Sequence, residues 1–173
     1  MTPELIRTIA VLSVACLAVI FDVRTRRIPN LLNFGAAAAA LGFAFLDGGV
    51  QGTLTAAGAW LLGVALFFPF FALGGMGGGD VKLLAALAAW LGPIEAIYLA
   101  IFTSLAGGVA AAVVAFVHGY ARQALSNLWL MVMHWRVVGP QPVPGLTLQD
   151  GRAPRLAYAI PIAAGALVTL WRH

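Results

Sequence analysis

Charge is the scarcest commodity in this chain. Six Asp and Glu and ten Lys and Arg are spread over 173 residues, so charged side chains make up 9% of the sequence, against about 25% in an ordinary soluble domain. So few cannot coat a water-facing surface of this size, which excludes a soluble globular protein. The 62% hydrophobic content excludes intrinsic disorder. Cysteine is scarcer still. Cys16 alone permits neither an internal disulfide nor a multi-cysteine metal site, and its place in an apolar run reads as a small core residue. His118, His134 and His173 lack ligand-like spacing, and Ser13, Ser104 and Ser126 lack a recognisable partner base. What is present is apolar length: mean hydropathy is +0.96. That leaves a membrane protein with several spans. The net charge of +4 raises nucleic acid as a partner, but nine Arg and one Lys scattered between apolar runs do not build a binding face.

The apolar runs predict an all-α transmembrane bundle of about six spans. Segment one covers about Leu5–Phe21, two Leu31–Leu46, three Thr53–Leu73, four the short Leu83–Leu91, five Ile94–Val117 and six Leu156–Trp171. A spanning helix needs about 20 residues, so segment four is short for a crossing. Segment one ends in Asp22-Val-Arg-Thr-Arg-Arg with no small-residue cleavage site, so no removable signal peptide is expected. The stretch 118–155 is the longest break. Its apolar part, Leu125–Trp135, predicts a helix lying on the membrane interface, anchored by Trp129 and Trp135. Pro140, Pro142, Pro144 and Gly145 follow as an irregular connector, and Pro161 predicts a bend in segment six. Alternating crossings gather Arg24, Arg26, Arg27, Lys82, Arg122, Arg136, Arg152 and Arg155 on one side and leave Arg7 and Arg172 on the other. The richer side is then cytoplasmic, and both termini face outward.

Among the six acids, Glu4, Asp47 and Asp150 read as solvated, and Glu95 reads as a helix cap after the Gly92-Pro93 turn. Asp22 and Asp80 differ, since one ends segment one and the other opens segment four, at one depth and on the same side. An acid at such an edge is costly unless it is solvated, paired or used. Five glycines, Gly74, Gly75, Gly77, Gly78 and Gly79, stand in the run before Asp80, and Val81-Lys82 follow it. Such a run lets backbone approach a helix or a bound peptide closely; without a Gly-Lys-Ser/Thr ending it is no phosphate cradle. Asp22 is followed by Ile28-Pro29-Asn30, where Pro29 can open a helix and Asn30 can bond backbone or the facing loop. Two carboxylates within reach of one water share a proton. One activates the water and the other hydrogen-bonds an amide carbonyl, with neither metal nor cofactor required.

These elements resemble the prepilin peptidases, membrane aspartic proteases of type IV pilus systems. The resemblance rests on Asp22 with Ile28-Pro29-Asn30 and on Gly77-Gly78-Gly79-Asp80 with Val81-Lys82-Leu83, and it extends less specifically to the segment around Tyr158-Ala159-Ile160-Pro161. It implies a single membrane-embedded peptidase domain over 1–173, in a bacterial inner membrane with its site facing the cytoplasm. It implies catalytic Asp22 and Asp80, motif glycines Gly77 and Gly79, and supporting residues Ile28, Pro29, Asn30 and Lys82. The implied substrates are prepilins, whose short basic leader is cut from a hydrophobic helix, and contact with pilus-assembly machinery is a further implied partnership. The larger bifunctional members carry paired Cys-x-x-Cys motifs and N-methylate the product. A chain with one cysteine whose first segment starts near Met1 resembles instead the small peptidase-only members of tight-adherence (Tad/Flp) systems.

Two other classes compete. A small transporter or channel would place its acids near the bilayer midplane and show an internal repeat. A non-enzymatic subunit of a pilus or secretion machine would tolerate loss of both acids.

Overall fold

In a bilayer, backbone polar groups have no water to bond, so apolar runs of this length can only close their hydrogen bonds within helices. The computed structural model describes residues 2–143, 145–146 and 156–172, and these form six helices: α1 Pro3–Thr25, α2 Asn30–Ala72, α3 Gly78–Leu91, α4 Pro93–Val117, α5 Ala121–Val138 and α6 Ala159–Trp171. The architecture is an all-α polytopic bundle. Three helices, α1, α2 and α4, are long and apolar enough to cross a membrane, while α6 is apolar but has 13 residues and α3 has 14.

Segments two and three prove to be one helical element with a break. The 43 residues of α2 would run about 65 Å if straight, twice the hydrocarbon thickness. Gly49, with φ 58° and ψ −146°, interrupts it into arms 30–48 and 50–72. Contacts with α3 give the directions of the arms. Asn33 reaches Gly79 and Phe43 packs on Trp90, so the first arm runs parallel to α3. Phe71 lies against Gly78 and Gly63 against Ala85, so the second arm runs antiparallel. The break therefore turns the chain back, and α3 lies in the fork of the hairpin.

That position makes α3 the core. Leu83, Leu84, Ala85, Ala86, Leu87 and Ala88 are fully buried, which suits a short helix apolar on every side. Small residues bring the other helices close. A Cβ on Gly63 would lie 2.8 Å from the Ala85 Cα, one on Gly107 2.5 Å from the Tyr158 hydroxyl, and one on Gly165 2.8 Å from the Thr103 nitrogen. The last two pairs set α6 antiparallel to α4, with Arg172 ending over the Tyr98 ring.

The bundle thus has two distinct ends. At one, Arg7 bonds Asp47 at 2.7 Å and Glu4 at 3.1 Å, beside a cavity of about 460 Å³ lined in part by Trp90 and Glu95. Asp47 is therefore ion-paired rather than simply solvated. At the other end lie the end of α1 and the starts of α2, α3 and α6. The α4 helix continues ten residues beyond Gly107 to Val117, about 15 Å past Tyr158 at this end.

Four expectations need correction. Asp80 and Lys82 lie inside α3 rather than before it. Pro161 occupies the first turn of α6, where a missing N–H costs no helical bond, so it produces no mid-helix bend. Cys16 is exposed on the outer side of α1, not in the core. The helix expected at Leu125–Trp135 is longer than that: α5 spans 18 residues, buries none, and carries Leu125, Leu128, Trp129 and Leu130 exposed. Pro144, Asp150, Arg152, Arg155 and His173 lie outside the described residues.

Candidate active site

Asp22 sits in the last turn of α1 and is 7% exposed. The chain leaves the helix at once, through Arg26 in the left-handed region (φ 54°), whose N–H donates to the Asp22 backbone carbonyl at 2.9 Å. The Asp22 carboxylate is held from the far end of the sequence. Its Oδ2 accepts the buried N–H of Ala159, the first residue of α6, at 3.0 Å. An amide at a helix N-terminus has no partner within its own helix and favours an anion, so each end of this contact satisfies the other.

Asp80 is the third residue of α3, and its side chain turns back over the preceding loop. Gly77 caps the helix without a side chain of its own to bond the free amides. The acid at the third helical position turns back toward the cap, as the acid of a capping box does. A Cβ on Gly77 would stand 2.9 Å from Asp80 Oδ2. The glycine there is thus room for the carboxylate. Only Gly74 of the five glycines uses positive φ, at 75°. Gly79 has less need to be glycine, because its Cβ would meet only Ile28 Cβ at an ordinary 3.5 Å.

The two carboxylates come from different helices yet face one region. Asp22 is close enough for its charge to act on Asp80, and the Asp80 charge in turn acts on Tyr158, the residue before Ala159. The start of α6 therefore reaches the site through the Ala159 amide, a contact the sequence pattern alone did not reveal.

The supporting residues tie α2 to α3. Pro29 is the cap of α2 and Asn30 its first residue. The Lys82 Nζ donates to Asn30 Oδ1 at 2.9 Å and lies 5.3 Å from the Phe34 ring centroid. Ile28, 9% exposed, packs on Gly79. Asn33, which the motif reading passed over, is buried and donates through Nδ2 to the Gly79 carbonyl at 3.1 Å. Its signal in the sequence was a lone amide among Leu31, Leu32, Phe34 and the alanines. Arg24, Arg26 and Arg27 are all exposed around this end. Among the described residues no three His, Cys, Asp or Glu side chains gather as metal ligands.

Fold and site together define a class: a helical membrane protein with two acids from separate helices at one end of its bundle. Within that class the chain belongs to the Type IV leader peptidase family, whose profile matches residues 9–119. The match takes in both aspartates, the Ile28-Pro29-Asn30 turn and the glycine loop, and stops short of α6. Membership carries aspartic-type peptidase activity at the level of the family and, with the spanning helices, a multi-pass inner-membrane location. Comparison with curated proteins and with solved structures returns no match.

Proposed function

We propose that this chain is a prepilin leader peptidase in which Asp22 and Asp80 hydrolyse the bond between a short basic leader and the hydrophobic helix of a type IV prepilin, of the Flp kind. The observation that carries the reading is the convergence of two carboxylates, one buried at the end of α1 and one in the first turn of α3, near enough to interact. Like charges so placed resist simultaneous ionisation, so the pair holds one proton between them. The ionised member takes a proton from water as the water attacks the scissile carbonyl. The protonated member hydrogen-bonds the carbonyl oxygen and stabilises the tetrahedral intermediate. Proton return to the leaving nitrogen completes the cleavage.

The reading takes 1–173 as one membrane-embedded peptidase domain. Six crossings are made by α1, both arms of α2, α3, α4 and α6, while α5 lies along the cytoplasmic interface. Exposed Arg24, Arg26 and Arg27 on the site's side and Arg7 and Arg172 at the opposite end favour a cytoplasmic site and outward termini. At about 21 and 20 Å, α3 and α6 are shorter than the roughly 30 Å hydrocarbon core, so local thinning of the bilayer at their starts lets water meet a bond presented near the membrane surface. The deciding experiment incubates purified protein in detergent with a candidate prepilin and follows release of the leader.

A further inference from the structure

The turn that carries Asp80 has almost no side chains of its own. Gly77, Gly78 and Gly79 precede the acid, so this turn cannot wedge itself against its neighbours, and its orientation must come from outside. Phe71 and Ile28 supply contact. The one directional bond from a neighbouring helix to these three glycines, among those the structure describes, comes from Asn33, whose Nδ2 donates to the Gly79 carbonyl at 3.1 Å. The acceptor fixes the amide's orientation, because a carbonyl oxygen can only receive. Since α3 starts at Gly78, that carbonyl already belongs to the helical ladder, so the added bond is not needed to satisfy it.

The other half of the amide is unpaired. Asn33 is 1% exposed, and its Oδ1 is buried without a hydrogen-bond partner. An orphaned buried acceptor lowers stability, and a leucine of similar size would avoid that loss. An amide kept here against stability points to a task other than holding the fold.

We propose that Asn33 is a positioning residue for Asp80, setting through Gly79 the rotation of the first turn of α3 and so the place where Asp80 presents its carboxylate to Asp22. The assignment rests on reading Asp22 and Asp80 as the catalytic pair. The Asn30–Lys82 bond ties α2 to this helix two residues after Asp80, and the Asn33–Gly79 bond ties it one residue before.

The test compares wild type with Asn33→Leu in detergent, measuring leader cleavage, thermal unfolding and backbone hydrogen exchange. The expected result is an unfolding temperature equal to or above that of wild type, kcat lower by about 10–100-fold with KM little changed, and faster exchange confined to the Asp80 and Val81 amides. Cleavage at the wild-type rate would overturn the proposal. So would a joint loss of stability and activity with exchange rising throughout α2 and α3, which marks a plain structural brace. Should the leucine variant fail to insert, Asn33→Ala carries the same expectation for kcat and for local exchange. If wild type itself releases no leader, the peptidase reading fails, and the exchange measurement still decides whether Asn33 fixes the turn.

Discussion

The N–H of Ala159 donates to the Asp22 carboxylate at 3.0 Å, joining the first residue of the last helix to the last turn of the first. The packing of α6 therefore reaches the site directly. Gly165 is where α6 lies against α4, and a Cβ there would stand 2.8 Å from the Thr103 backbone nitrogen. Gly165→Ala is expected to cost about 1–3 kcal/mol of stability by overpacking and to slow leader cleavage as α6 moves away from Asp22. Thermal unfolding in detergent alongside the cleavage assay checks both effects.

The glycines of the loop should not be equivalent. Gly77→Ala sets a methyl group 2.9 Å from Asp80 Oδ2 and forces the carboxylate out of its place against the loop. Gly79→Ala meets Ile28 only at ordinary contact distance. Cleavage by Gly77→Ala is expected to fall about 10–100-fold, with Gly79→Ala much closer to wild type. Comparing kcat for the two variants decides it, and a reversed order would mean that the carboxylate does not rest against Gly77.

Much of this was legible in the sequence. The apolar runs marked α1, α4 and both arms of α2, and Asp22, Ile28-Pro29-Asn30 and the glycine loop marked the candidate site. What could not be read is contact across the chain. Nothing local to Ala159 shows that its amide meets Asp22, and nothing local to Asn33 shows that it meets Gly79. Short-range patterns also misjudged individual positions. Apolar surroundings suggested a buried Cys16, but in a membrane bundle an apolar helix has an outward apolar face as well, and Cys16 is on it. Pro161 suggested a bend because the start of α6 was placed earlier, at Leu156, which put the proline mid-helix rather than in the first turn.

Activity should pass through a maximum as pH is varied. Acid protonates both carboxyls and removes the base, while alkali ionises both and removes the group that bonds the carbonyl oxygen. The kcat/KM profile is expected to be bell-shaped, and a rate independent of pH on either side would contradict a shared proton.

The arginines of the first loop should act on orientation and docking more than on chemistry. Arg24, Arg26 and Arg27 are exposed, and replacing all three with Gln is expected to weaken the positive-inside bias of this loop and to raise KM with kcat nearly unchanged. Accessibility of cysteines placed in the loop, read with the kinetics, tests this. Unchanged topology and unchanged KM would remove the arginines from the account.

Isosteric replacement decides whether Asp22 and Asp80 act together on one water. Asp22→Asn and Asp80→Asn should each insert and unfold like the wild type, yet release no detectable leader from a prepilin that the wild type cleaves. Continued cleavage by either well-folded variant would show that the reaction does not need the pair.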